Sequence, residues 1–161
     1  MNRSKVPALM QNQWEAFNGD TFIAEEFLQL QKKLDIKTVV ETGTFIGSTT
    51  IFLSEAFDRV ITIEINHEYL GYAHERFKEE NLKNVKTILG DSGEVLYDTI
   101  IENNVDNQSI MWLDGHWLHY CPLIDELRAI ELAGIKPVIA IHDFKTDDPR
   151  MGFDSYNGQD F

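Results

Sequence analysis

Five acidic residues in this chain each follow a short apolar run. Glu41 follows Thr38-Val39-Val40, Glu64 follows Val60-Ile61-Thr62-Ile63, and Asp91 follows Val85 to Leu89 and Gly90. Asp114 follows Ile110-Met111-Trp112-Leu113, and Asp143 follows Val138 to His142. Short runs rich in Val and Ile read as strands buried on both faces. In an open α/β sheet, ligands bind outside the carboxyl ends of the strands. Five carboxylates converging on that edge would form an anionic site, complementary to a cationic ligand group or to hydroxyl donors. Three histidines fall in the same region, His116, His119 and His142. Imidazole titrates near neutral pH, so each is a candidate general base, and His116, two residues past Asp114, is the best placed.

The turn after the first run reads Glu41-Thr42-Gly43-Thr44-Phe45-Ile46-Gly47-Ser48-Thr49-Thr50. Gly43 can take a positive φ and let a ligand approach the backbone, and Gly47 permits close packing where a helix begins. The free N–H groups of such a helix start suit a carboxylate or a phosphate. The pattern is E-x-G-x-x-x-G, which differs from the G-x-G-x-x-G of dinucleotide binders and lacks the lysine of a P-loop. Glu41 beside the turn suits a cationic group rather than a pyrophosphate. Glu64 ends the second run, where an acid can accept from both hydroxyls of a ribose. A nucleoside with a cationic, amino-acid-like end would satisfy the whole set.

The elements that must position these residues alternate along the chain. Strands are expected at 37–41, 59–64, 85–89, 109–113 and 137–142. Helices are expected between and after them at about 47–57, 67–79, 92–103 and 122–133. An amphipathic helix at 21–34 precedes the set. Asp91 and Glu94 have the spacing of a capping box, and Gly134 fits a helix stop. Strands joined by helical crossovers imply a doubly wound α/β fold around a parallel sheet.

The 161 residues make one domain, divided into an N-terminal extension and helix over 1–34, a core over 37–143 and an irregular tail over 144–161 that holds no clear strand. The 27 acidic and 14 basic residues give a net charge of −13, which disfavours a nucleic-acid partner. No apolar stretch approaches the roughly 20 residues that span a bilayer, so no membrane partner is expected. The lone Cys121 and the absence of an apolar leader fit a cytoplasmic protein. An uncovered sheet edge, or Trp14 and Phe17, would give a homodimer its contact surface.

In this order, Glu41-x-Gly43-x-x-x-Gly47, Glu64, Gly90-Asp91-Ser92, Asp114-Gly115 and His142-Asp143 resemble the class I S-adenosylmethionine-dependent methyltransferases. The likeness covers about Lys37 to Phe144 and is greatest to the small-molecule O-methyltransferase branch with its macrocin-type and catechol-type enzymes. The resemblance implies a Rossmann-like sheet of order 3-2-1-4-5. It implies that Glu41, Gly43, Thr44 and Gly47 serve the methionine end of the cofactor, that Glu64 binds the ribose and that Asp91 and Ser92 meet the adenine. Asp114 borders both the cofactor and the transfer point. Asp114, His116 and Asp143 are the residues expected to carry catalysis, acting on a hydroxyl of a small-molecule substrate. In the metal-dependent branch, acids after strands four and five hold a divalent cation, which points to Asp114 and Asp143. Oxygen ligands suit Mg²⁺, while a nitrogen from His142 would shift the preference towards Mn²⁺, Fe²⁺ or Zn²⁺. An alternative reading is a domain that binds S-adenosylmethionine or a nucleoside without chemistry, as a structural or partner module.

Two departures from these relatives stand out. They often carry Asp-Gly-x-His-x-Tyr after strand four, whereas this chain has Asp114-Gly115-His116-Trp117-Leu118-His119-Tyr120, with neither histidine in register. Their sheet has seven strands, the last two forming a hairpin that covers the substrate side, and here those strands are absent from the pattern.

Overall fold

The computed structural model describes residues 15–117, 119–147, 152–153, 155–156 and 159–160. Five parallel strands form one sheet in the order β3-β2-β1-β4-β5. They are β1 (Thr38–Thr42), β2 (Arg59–Glu64), β3 (Val85–Leu89), β4 (Ser109–Leu113) and β5 (Val138–Ile141). The helices are α1 (Thr21–Leu34), α2 (Ser48–Ala56), α3 (His67–Glu79), α4 (Ser92–Glu102) and α5 (Leu123–Leu132). The doubly wound α/β fold and its strand order are those expected from the sequence.

Alternation along the central strands divides the core between two faces. Val40 of β1, Ile61 and Ile63 of β2 and Met111 and Leu113 of β4 pack with Leu96 and Ile100 of α4 and Ile130 of α5. Val39, Val60, Ile110 and Trp112 point the other way, onto Phe27 of α1 and Leu53 of α2. Both faces are therefore covered, as a parallel sheet requires. Caps set several helix starts. Asp20 accepts from the N–H groups of Phe22 and Ile23, and Asn66 from those of Glu68 and Tyr69. Each satisfies donors that the first helical turn leaves free.

Two expectations change. Phe17 is buried among Phe27, Phe52 and Trp112, with ring centroids 5.1 to 5.5 Å apart, so it is core and not a dimer contact. Trp14 lies outside the described residues. The tail does contain strands: β6 (Ser155–Tyr156) and β7 (Gln159–Asp160) pair antiparallel, apart from the main sheet. Two-residue strands are too short for alternation to mark them. No helix among the described residues is long and apolar enough to cross a membrane.

Candidate functional site

β1 and β4 are adjacent in the sheet, and the loops leaving their carboxyl ends meet. Gly43 has φ +83°, and a Cβ there would lie 2.3 Å from the carbonyl oxygen of Asp114. Glycine is thus required by a contact between two backbones. Gly47 has φ +79°, and a Cβ on it would lie 2.4 Å from the Phe77 ring, so its role is to admit α3 against the start of α2. Arg76 of α3 ties the turn down by donating to the Ile46 carbonyl at 2.7 Å and to Ser48 Oγ at 2.8 Å. Between the glycines, Phe45 is held at φ 49°, a strained conformation for a bulky side chain. Its N–H donates to Glu64 Oε2 at 2.7 Å, and the N–H of Asn66 donates to Glu64 Oε1 at 2.8 Å. Burial raises the Glu64 carboxyl above its usual range, while these backbone donors oppose the rise.

Glu41 does not reach this edge. Its side chain is wholly buried, and Oε2 accepts from Thr50 Oγ1 at 2.5 Å and Thr62 Oγ1 at 2.7 Å. Thr62 Oγ1 also lies 2.5 Å from Thr44 Oγ1, so Glu41 connects to the edge only through two hydroxyls. Oε1 has no hydrogen-bond partner among the described residues. Burial pushes the carboxyl up to about 8, against the two threonine hydrogen bonds and with smaller contributions from Asp114 and Glu64.

A cavity of about 510 Å³ opens over the carboxyl ends of the strands, within the range for small-molecule sites of about 300–1,000 Å³. Gly43, Thr44, Glu64, Asp91, Ser92, Asp114, His116, His142 and Asp143 all line it, whereas Glu41 and Gly47 do not. Asp91 caps α4, with Oδ1 accepting from the Gly93 N–H at 3.0 Å and Oδ2 from the Tyr120 hydroxyl at 2.5 Å. Burial and then the Asp91 carboxylate raise the Tyr120 phenol well above its ordinary value. Phe45 stacks on Trp117 and meets Tyr69 edge-on, making an aromatic rim to the cavity. Trp117 and Tyr120 both line the cavity. Trp112 is core, and Phe144 lies outside the cavity wall.

Four donor atoms converge at one end of this cavity. His142 Nδ1 is 2.9 Å from Asp114 Oδ1 and 3.2 Å from Asp143 Oδ2. His116 Nε2 is 3.1 Å from Asp114 Oδ1, 3.7 Å from Asp143 Oδ2 and 3.4 Å from His142 Nδ1. Burial alone would raise the Asp114 carboxyl, but the hydrogen bonds and charge of His116 and His142 bring it below its ordinary value. His142 continues the sheet, its N–H donating to the Leu113 carbonyl, and Asp143 turns at φ 53°. Ring contacts fix the imidazoles: His142 lies against Trp112, and His116 against Tyr156 of β6. Asp114, His116 and His142 each place a ligand atom within 4.8 Å of the other two, a donor set that fits a divalent cation.

The structure thus brings Asp114, His116, His142 and Asp143 together despite the unfavourable register of the histidines. His119 is exposed and outside the wall. Sequence reasoning missed Glu126, which is buried beneath Gly115. Burial raises its carboxyl, opposed by hydrogen bonds from Ser92 and Thr42. Thr42 Oγ1 also accepts from the Asp114 N–H at 3.1 Å, so this buried acid helps to seat Asp114. Its sequence signal is slight: a glutamate on the apolar stripe of α5. Tyr156 was missed as well, because its strand is too short to read.

Solved structures share this architecture. A caffeoyl-CoA O-methyltransferase-like protein from Staphylococcus aureus aligns with TM-score 0.66 at 16% identity over 89% of this chain and 66% of its own. A methyltransferase from Podospora anserina, solved with S-adenosylhomocysteine, aligns with TM-score 0.64 at 14% identity over 88% of this chain and 58% of its own. The O-methyltransferase TomG from Streptomyces achromogenes, involved in tomaymycin synthesis and solved with S-adenosylmethionine, aligns with TM-score 0.59 at 21% identity over 74% of this chain and 54% of its own. At these identities the likeness is one of fold, and the chain spans between 54% and 66% of the length of these three proteins. No protein-family model and no curated protein matches the sequence.

Proposed function

We propose that this protein transfers the methyl group of S-adenosylmethionine to a hydroxyl of a small molecule, with a divalent cation held beside that hydroxyl. One observation carries the reading. A single cavity on the carboxyl edge of a methyltransferase-type sheet holds Glu64 at the end of β2 and, on the same wall, the cluster of Asp114, His116, His142 and Asp143. The first feature suits a nucleoside and the second an activated acceptor, and methyl transfer needs both within one site.

Each residue has a task that follows from its position. Glu64 uses one lone pair per oxygen on backbone N–H groups, so the others are free to accept from two ribose hydroxyls. The turn at Gly43-Thr44 and the start of α2 at Ser48 and Thr49 face the cavity, where N–H groups and the helix dipole favour the carboxylate of the methionine end. Glu41 supports that turn from beneath through Thr62 and Thr44, and Gly47 sets its packing. Asp91 and Ser92 border the adenine end. The cofactor supplies a methyl group activated by a sulfonium, leaving S-adenosylhomocysteine after transfer. A cation held by Asp114 and His142, with Asp143 beside them, would supply Lewis acidity at the acceptor. His116 is close enough to the cluster to take the acceptor's proton or to join the donor set. Both roles use the lone pair on Nε2.

Thermal melting tests the reading directly. A ligand at about 100 times its Kd stabilises by about 2.7 kcal/mol, or roughly 5–10 °C for a domain of this size. S-adenosylmethionine and S-adenosylhomocysteine are expected to give such a rise, and NAD none. Stabilisation by NAD alone would refute the proposal. Transfer of a labelled methyl group to phenols and sugar hydroxyls then tests the chemistry.

A further inference from the structure

We infer that His116 is a metal ligand rather than the general base. The cluster is then centred on His116, His142 and Asp114, a site for a first-row transition ion or zinc, not an all-oxygen magnesium site. The inference rests on the proposed methyltransferase site for its purpose, but not for its geometry.

The first argument is spatial. The separations among Asp114 Oδ1, His116 Nε2 and His142 Nδ1 are 2.9, 3.1 and 3.4 Å, and Asp143 Oδ2 lies beside them, 3.2 Å from His142 Nδ1 and 3.7 Å from His116 Nε2. Two ligands each about 2.1 Å from one ion are about 3.0 Å apart at a right angle and about 3.4 Å apart at the tetrahedral angle. The observed separations bracket those values. A histidine serving only as a base would need its Nε2 aimed at the acceptor. Here Nε2 is turned into the cluster, towards Asp114 of its own loop and His142 and Asp143 after β5.

The second argument is the balance of donors and acceptors. Ionised carboxylate oxygens only accept. Hydrogen bonding can satisfy this set only if both facing nitrogens carry protons, and those nitrogens are 3.4 Å apart. One cation instead takes a lone pair from each of Asp114 Oδ1, His116 Nε2 and His142 Nδ1.

The third argument is orientation. The two imidazoles are nearly parallel, with centroids 5.6 Å apart and planes inclined by 17°. Each is backed by an aromatic ring, His142 by Trp112 at 5.5 Å and His116 by Tyr156 at 5.3 Å. Such backing holds ligands in place and keeps water from one side of a metal site. Asp143, held at φ 53°, is turned back towards the group rather than continuing the strand.

Ligand chemistry then sets the metal class. Magnesium is bound through oxygens and keeps much of its water, whereas imidazole suits zinc, iron, nickel and copper. Two imidazole nitrogens favour those ions, with manganese at the weak end of the series.

The experiment reads binding, not turnover. The full chain is stripped with chelator and titrated with Zn²⁺, Co²⁺, Mn²⁺ and Mg²⁺ by calorimetry, and the cobalt form is read by visible absorption. Zn²⁺ and Co²⁺ are expected to bind far more tightly than Mg²⁺. His116→Asn is expected to lower Zn²⁺ and Co²⁺ affinity at least about tenfold, since loss of supporting contacts alone costs about 10–100-fold. It should also change the cobalt spectrum while leaving Mg²⁺ affinity unaltered. Melting and circular dichroism establish that the variant folds, and His119→Asn, outside the cluster, serves as the matched control. Equal affinity for Mg²⁺ and Zn²⁺, an unchanged cobalt spectrum in His116→Asn, or no binding of any ion would overturn the inference. Melting with S-adenosylhomocysteine is run on the same samples. Metal selectivity without a response to the nucleoside would sink the methyltransferase reading and leave the metal centre standing, and the reverse result would do the opposite.

Discussion

Glu41 offers a test worked entirely from its surroundings. The carboxyl is wholly buried, has two hydroxyl donors on Oε2 and none on Oε1, and is raised from an ordinary 4.5 to about 8. Between those values the folded chain keeps the proton that the unfolded chain releases. The stabilisation is therefore fully present below about pH 4.5 and is lost progressively as pH rises through about 8. At about 1.4 kcal/mol per pH unit, the interval corresponds to at most about 5 kcal/mol. Glu41→Gln keeps the shape, leaves its carbonyl oxygen to accept from Thr50 and Thr62, and removes the titration. Urea unfolding of both proteins from pH 4.5 to 9 should give similar stabilities at the acid end. The variant should then gain on the wild type by several kcal/mol as pH approaches 8. Taking the difference between the proteins cancels the slopes from Glu64, Glu126 and Asp114. A difference that stays flat across the range would refute the reasoning, because it would mean that Glu41 folds already ionised.

Gly43→Ala should lower the melting temperature by roughly 4–10 °C. A left-handed alanine costs about 1–2 kcal/mol, and the Cβ would also collide with the Asp114 carbonyl. Melting with and without chelator would show whether the damage reaches the metal cluster. Trp117 is about half exposed on the cavity rim while Trp112 is buried, so a ligand entering the cavity should change emission from Trp117. Titration with S-adenosylhomocysteine should lose that change in Trp117→Phe. Tyr156→Ala removes the ring behind His116 and should weaken Zn²⁺ binding about tenfold, as loss of a supporting contact does, with Tyr156→Phe close to wild type in calorimetry.

Most of the frame was legible because most strands are short runs rich in Val and Ile and most helices carry a cap or a stop. Glu41 shows where that legibility ends. Its place at the end of β1 was evident, but its direction was not. The side chain lies among Thr50 of α2 and Thr62 of β2, and only the sheet register brings those hydroxyls beside it. The glycines were readable as turn residues, yet their neighbours were not. Gly43 was expected to make room for a ligand and instead makes room for the backbone of Asp114, 71 positions away along the sequence. His116 was judged from spacing, which measures position in a periodic element. The segment from Asp114 to Pro122 is a loop, so spacing carries no direction there, and the side chain returns to Asp114 all the same. Tyr156 left no pattern, because two residues per strand is below the length at which alternation can be seen.

The contact between Gly43 and Asp114 joins the two halves of the proposed site. The turn that would hold the methionine end touches the backbone of the residue that anchors the cluster. Asp114 is held from a second side as well, its N–H donating to Thr42 Oγ1 above the buried Glu126. Thr42 and Gly43 are consecutive. The last residue of β1 and the first of its turn therefore fix Asp114 by a hydrogen bond and by direct backbone packing. In methyl transfer the separation between methyl donor and acceptor oxygen decides the rate, and an error of about 1 Å can cost a hundredfold. Placing both halves on adjacent central strands with packed backbones, rather than on opposing mobile loops, fixes that separation through the register of β1 against β4. On this argument the line between methyl donor and acceptor is set by the sheet. The aromatic rim of Phe45, Tyr69 and the half-exposed Trp117 would then be left to choose which acceptor enters.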